Sequence, residues 1–268
     1  MLQADSRDYI IPFSVSGEAD VPSDFALPRE MPREFAGIFL PRDRALPPSV
    51  LLLAGPSIRV IARDGGAPKA IPLARLEVLE CGRALLLGWI GLHWDGCSEI
   101  LRYNRRAAAV VERFLRRLKA AWLQPAQSDD AAETFGPEPA VKFRNTLGME
   151  LLVNEAPGLQ FFQPPTSKLV RWFGIPRQKH TAGDYLMLSE RRFLWITDRR
   201  TSIRDPYGTV ANSAALAAIS EVRLSHGNGG LWMRIGLSSG TTWNIPVAGE
   251  RTDDAEAFVN VFRKRMTR

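Results

Sequence analysis

The sequence predicts a mainly β protein with some α-helix, built from two copies of one unit in which a run of strands is followed by a single amphipathic helix. Three observations carry this. "LLLAGPSIRVIA" (51–62) aligns without gaps on "LMLSERRFLWIT" (186–197), apolar on apolar, with Leu51 on Leu186, Ile58 on Phe193 and Val60 on Trp195. Further matches follow in the same order: "PLARL" (72–76) on "ALAAI" (215–219), "IGL" at 90–92 and again at 235–237, and "VERFLRRL" (111–118) on "AEAFVNVF" (255–262). The third is the change of hydrophobic period near the end of each copy, from two residues to about 3.6.

In chain order, the first 35 residues are broken by proline and have no period, so 1–35 reads as an extended arm. Copy one spans 36–123. Its first hairpin turns on "AGPS", and each "IGL" is followed within four residues by a glycine turn, "HWDG" or "SSG". Its closing helix carries Ala107, Val111, Phe114, Leu115, Leu118 and Trp122 on one stripe. The segment "QPAQSDDAAETFGPEPA" (124–140), rich in Pro, Asp, Glu and Ala, reads as a linker. Copy two spans 141–268. Leu231, Met233, Ile235 and Leu237 alternate to one face of a strand, and Thr241, Trp243, Ile245 and Val247 do the same in the next, where Pro246 marks an edge. The final helix is expected to begin at Asp253 as N-cap, with Glu256 completing a capping box. Its stripe is Ala255, Phe258, Val259 and Phe262, and Arg263, Lys264 and Arg265 suit its C-terminus. A lone amphipathic helix after several strands must bury its stripe on a sheet.

"GDYLMLSERRFLWITDRR" (183–200), "AALAAISEVRL" (214–224), "LWMRIGLSSGTTWNIPV" (231–247) and "DDAEAFVNVFRK" (253–264) resemble, in that order, the bacterial pleckstrin-homology-like (PH-like) domains. The resemblance covers roughly 155–268, and copy one shares it through its likeness to copy two. It implies two tandem PH-like split β-barrels, each closed by a C-terminal helix. It also implies binding of phosphoinositides, peptides or other domains, because PH-like domains do these things and many bacterial ones are assembly modules.

Composition narrows the partners. Hydrophobic residues make up 45 % of the 268, and mean hydropathy is −0.13. No apolar run approaches the roughly 20 residues of a membrane span. The N-terminus lacks the basic start and apolar middle of a signal peptide, so a cytoplasmic protein, at most peripheral to the membrane, is expected. Net charge is +6 and pI 9.7, which favours anionic partners. Cys81 and Cys97 are too few for a disulfide scaffold and are expected as free thiols, buried or half-buried.

No catalytic constellation stands out. His93, His180 and His226 read as turn residues without metal spacing, and no G-x-S-x-G elbow occurs. "HGNGG" (226–230) and "RDGGAP" (63–68) read as turns, and helix capping accounts for Asp253 and Asp254. No metal or cofactor is expected, and an enzyme ranks below a binding module.

Two basic features remain. The copy-one helix is read as exposing Arg105, Arg106, Arg113, Arg116, Arg117 and Lys119 opposite its stripe, without the interleaved aromatics that single-stranded nucleic acid uses. Nucleic acid is therefore disfavoured. In copy two, Lys168, Arg171, Arg177 and Lys179 before the hairpin and Arg199, Arg200 and Arg204 after it form a basic rim if both segments are loops leaving one end of the sheet. Asp184, Asp198 and Asp205 oppose that charge, and Arg191 and Arg192 are expected at the other end. A strand over "KLVRWFG" (168–174) breaks this arrangement. Protein–protein assembly, including self-association through a sheet edge, is the leading expectation, and an anionic membrane surface the second.

Overall fold

In the computed structural model the described residues are all except 1–10, 33, 43–46, 64–66, 124–131, 173–174, 199–207, 228–229 and 267–268, and over 167–181 the backbone alone is described. The chain divides into two compact units, 1–124 and 125–268. It is mainly β, and each unit ends in a helix.

In the first unit, β1 (Phe13–Val15), β2 (Ala36–Leu40), β3 (Ser49–Ala54), β4 (Ser57–Ala62) and β5 (Lys69–Pro72) form an antiparallel sheet in that order. A 3-10 turn over Leu73–Arg75 leads to a second meander of β6 (Leu76–Arg83), β7 (Leu87–Trp94) and β8 (Cys97–Asn104). Asp95 and Gly96, both at positive φ (46° and 73°), make the two-residue turn into β8, the geometry that Asp-Gly favours in hairpins. A 3-10 turn over Arg105–Ala107 then opens α1 (Ala108–Leu123). The arm is part of this unit. β1 pairs with the edge of β2, and Val15, Val21 and Phe25 pack with Phe35 against Phe39, Val50 and Leu52.

In the second unit, β9 (Glu133–Phe135), within the segment read as a linker, pairs parallel to β10 (Leu159–Gln163). Between them runs α2 (Val141–Glu150). An inserted ribbon of β11 (Thr166–Trp172) and β12 (Ile175–Thr181) precedes β13 (Asp184–Leu188), β14 (Arg192–Thr197) and β15 (Thr209–Ala215), which continue the sheet from β10. After a 3-10 turn (Leu216–Ala218) come β16 (Ile219–Gly227), β17 (Gly230–Leu237) and β18 (Thr242–Val247), then a 3-10 turn (Gly249–Arg251) and α3 (Thr252–Met266). Phe258 and Phe262 of α3 lie 5.8 Å from Phe161 and 5.4 Å from Phe193, ring centre to ring centre. Burying each such ring contributes about 1.5–3 kcal/mol, so this stripe anchors the helix.

Seven strands repeat register for register between the units, β2–β8 in the first and β10 with β13–β18 in the second. Ala36 opposes Leu53 as Leu159 opposes Leu188, and Ser57 opposes Pro72 as Arg192 opposes Ala215. Both meanders begin with a bulge at the same place, after Leu76 and after Ile219. That bulge corrects one alignment. With Trp94 opposite Leu76 and Leu237 opposite Ile219, Ile90 and Leu92 correspond to Met233 and Ile235, so the two "IGL" triplets are offset by two residues. An even offset keeps the same face inward, which is why the triplets match in character without matching in position.

Other expectations change. The segment 168–174 is largely strand, so the two-loop rim does not form as drawn. His93, His180 and His226 lie in strands β7, β12 and β16, not turns. Lys119 is buried, on the inward side of α1, because it lies beside Leu118 and one turn from Leu115. Cys97 is exposed and Cys81 buried, both as free thiols. Asp253 and Asp254 sit inside the first turn of α3, because the preceding 3-10 turn moves the helix start upstream. There Asp254 pairs with Arg251 at 3.2 Å in place of a capping box.

Candidate functional site

The two sheets of the first unit part along a seam beside β8. A cavity of about 220 Å³ opens there, lined by Leu40, Ser49, Val60, Lys69, Glu99 and Ile100 among others. Its floor is apolar because Leu40 and Val60 face inward from β2 and β4. Its rim carries an ion pair, Lys69 with Glu99, and Ser49 Oγ donates to the Pro47 carbonyl at 3.2 Å.

The same register positions in the second unit are Gln163 for Leu40, Asp184 for Ser49, Trp195 for Val60 and Trp243 for Glu99. These fill the seam. Gln163 Nε2 donates to Asp184 Oδ2 (2.9 Å) and to the Pro246 carbonyl (2.6 Å), and Ala248 N–H donates to Gln163 Oε1 (3.1 Å). Trp195 Nε1–H donates to Asp184 Oδ1 (2.8 Å), and its ring lies 5.6 Å from that of Trp243. The first unit thus has smaller side chains, and a cavity, where the second has a hydrogen-bonded polar pair and two tryptophans in contact.

β8 is the edge of its sheet, and among the described residues no strand pairs with its outer side. It is eight residues long, lacks proline, and exposes Ile100 at 44 %. Its counterpart β18 carries Pro246 where β8 has Arg102, and a proline on an edge strand blocks further pairing. Behind β8, Glu80 of β6 accepts from Trp89 Nε1–H, and His93 Nε2 lies 3.6 Å from its Oε2. Burial alone raises the Glu80 carboxyl, yet the hydrogen bonds from His93 and Trp89 and the His93 charge outweigh it and hold it below the ordinary glutamate value. Burial pushes the Tyr103 phenol well up, and it stays neutral.

Four of the predicted rim residues share one ribbon. Lys168 and Arg171 lie on β11, and Arg177 and Lys179 on β12, with Lys168 opposite Lys179 and Arg177 opposite Val170. Arg199, Arg200 and Arg204 lie outside the described residues. Asp184 is buried and bonded as above, while Asp198 accepts from Gly183 N–H (2.6 Å) and from Lys142 (3.3 Å). Neither faces a rim.

Arg191 is exposed in the turn, but Arg192 is fully buried. Its guanidinium forks onto the Glu155 carboxylate (Nε to Oε1 2.7 Å) and donates to the Glu150 carbonyl (2.8 Å) and Ser213 Oγ (3.3 Å). It is a structural ion pair, so it does not belong to an exposed basic end. On the first helix, Arg106, Arg113, Arg116 and Arg117 are exposed and Arg105 half-buried.

Sequence reading missed the seam because it belongs to residues that are ordinary one at a time. Laying copy two over copy one at Val60/Trp195 held the signal: a large-to-small change at an inward position.

Among the described residues no helix is long and apolar enough to cross a membrane. No family model matches the chain, and no curated protein matches it.

Proposed function

We propose that the chain is a non-catalytic assembly module of two tandem PH-like units, and that it self-associates by strand addition along β8. The observation that carries this is the open β8 edge beside the seam cavity, at the register positions where the second unit places Pro246 and two tryptophans. Main-chain hydrogen bonds along an edge supply affinity, and adjoining side-chain space supplies selectivity. A second copy fits as the occupant. Antiparallel pairing centred on Ile100 sets Ile100 against Ile100 and Ser98 against Arg102, with no like charges opposed. The non-catalytic part rests on a sequence without a nucleophile elbow or metal spacing, and the PH-like part on the order of seven shared strands (β2–β8; β10 with β13–β18) and a closing helix in each unit.

Light scattering during size exclusion tests the proposal. The 29.9 kDa chain is expected to run as a dimer, and Ile100→Lys, which opposes two ammonium groups at the centre, as a monomer. A parent protein that stays monomeric, or a variant that stays dimeric, overturns it.

A second reading is peripheral binding of anionic phospholipid. The ribbon β11–β12 favours it, since Lys168, Arg171, Arg177 and Lys179 fall within two strands that contain no acidic residue. Each cation near an anionic surface contributes about 1 kcal/mol.

A further inference from the structure

The turn joining β6 to β7 exposes two leucines, Leu85 at 66 % and Leu86 at 73 %. The hairpin beneath them is closed tightly. Ala84 N–H donates to the Leu87 carbonyl (2.8 Å) and Leu87 N–H to that of Ala84 (3.1 Å). Aromatic rings brace it: a methyl added at Gly82 would fall 1.8 Å from Trp89 Cε2, and one at Gly88 would fall 2.3 Å from Tyr103 Cζ. Both rings are buried in the sheet, so the leucines alone form the apolar tip. Beside the tip, Arg105 N–H donates to the Leu86 carbonyl (2.9 Å), which brings the 3-10 turn carrying Arg105 and Arg106 against the hairpin. Glu112 of α1 lies 3.9 Å from Arg83 and is turned toward that buried cation.

The second unit shows what the fold requires at this place. Gly227 opposes Gly230 as Ala84 closes on Leu87, so Leu85 and Leu86 correspond in sequence to Asn228 and Gly229. Arg105 and Arg106 correspond to Gly249 and Glu250. The second copy thus carries Asn-Gly and an acidic residue at these sequence positions. In the first unit both have changed together, to two exposed leucines and two arginines.

We propose that the Leu85–Leu86 tip with Arg105 and Arg106 is a membrane-docking element, in which the leucines enter the acyl boundary of an anionic bilayer and the guanidinium groups meet its headgroups. An apolar tip alone fits many partners. The basic collar around it selects a surface that is apolar within and negative at its rim, which describes an anionic leaflet. This element shares no residue with β8 or with the β11–β12 ribbon, and rests on neither reading above.

Sedimentation with phosphatidylcholine vesicles, with and without phosphatidylserine, tests it on the full chain. The parent is expected to bind the phosphatidylserine vesicles, and less so as salt rises. Leu85→Asn with Leu86→Gly installs the residues that stand at the corresponding sequence positions of the other unit, and Asn-Gly suits a two-residue hairpin, so the fold should be kept, as an unchanged melting temperature would check. That variant should bind about tenfold more weakly or worse, since two exposed leucines lose their insertion. Arg106→Glu should weaken binding about fivefold or more. No binding by the parent, equal binding to neutral vesicles, or a tip variant within about twofold of the parent would each overturn the proposal. Loss on Lys168→Glu with Arg171→Glu while the tip variant binds normally would overturn it too, and would assign the membrane contact to the ribbon.

Discussion

The two units solve one packing problem in two ways, and both solutions lie in the same register. In each, a segment preceding the first strand covers the outer face of the sheet and caps its edge. In the first unit that segment is the arm, which stacks Phe13 on Phe39 at 4.9 Å and sets Phe25 edge-on to it at 5.7 Å. In the second it is β9 and α2, where Phe143 meets Phe162, the counterpart of Phe39, at 5.2 Å. On the inner side the units diverge. The second sets Gln163, Asp184, Trp195 and Trp243 against one another across its seam, while on the outer face, at the end of α2, its Arg192 is wholly buried on Glu155. The first has Ser57 in place of Arg192, and its seam holds a cavity. The shared register therefore carries two different side-chain sets at the seam, and the set with the smaller side chains borders a cavity.

The contrast breaks most visibly at Arg192. Removing one partner of a buried ion pair leaves the other charged and desolvated, at a cost of about 3–5 kcal/mol. Arg192→Ala should therefore lower the unfolding free energy of the full chain by about that amount. Ser57→Ala, which deletes one hydrogen bond from Ser57 Oγ to the Ala54 carbonyl (3.2 Å), should cost about 1 kcal/mol or less. Urea titration followed by circular dichroism measures both. Similar losses at the two positions would mean that the shared register does not carry the difference in burial.

Trp195→Val, which gives the second unit the residue that the first has, should cost somewhat less, about 3 kcal/mol. It opens a void beside Trp243 and removes the donor to Asp184 Oδ1. The same titration reads it. A cost under about 1 kcal/mol would show that the seam collapses around the smaller side chain, and that an open seam in the first unit needs another explanation than the loss of its tryptophans.

Much of this architecture was legible in the sequence. The repeat was visible because both copies retain apolar residues at period-two positions, and α3 was legible because Ala255, Phe258, Val259 and Phe262 form one unbroken stripe, all four buried. α2 was missed for the opposite reason. Its inward residues are Phe143, Thr146 and Glu150, at helical spacing but only one of them strongly apolar, so no stripe appears. The burial of Arg192 was invisible because its partner Glu155 lies 37 positions away, and an arginine in a turn-flanking position normally faces solvent. The run "ALLLGWIGL" (84–92) has the length of one strand, and only the structure shows that Leu85 and Leu86 lie outside the strand in an exposed turn.

The smallest effect separates the units by acid. Glu80 has Arg223 as its counterpart, and His93 has Gly236, so only the first unit carries a carboxyl at this place. The folded Glu80 carboxyl lies below the ordinary glutamate value of about 4.5. Hence the unfolded chain takes up this proton first as pH falls. The stability that Glu80 contributes is complete above about pH 4.5 and is lost as pH drops through the folded value. Glu80→Gln removes this titration. Melting temperatures taken from pH 6 down to pH 3 (an experimental range spanning ordinary carboxyl values, roughly 4) should show the parent ahead of Glu80→Gln at the upper end and the gap narrowing toward the lower. Arg223→Gln should show no such narrowing, since Arg223 keeps its charge throughout. A gap between parent and Glu80→Gln that holds constant with pH would mean that packing of the carboxamide against Trp89, and not charge, distinguishes the two proteins. A gap that widens in acid would reverse the sign of the shift, and with it the role given to His93.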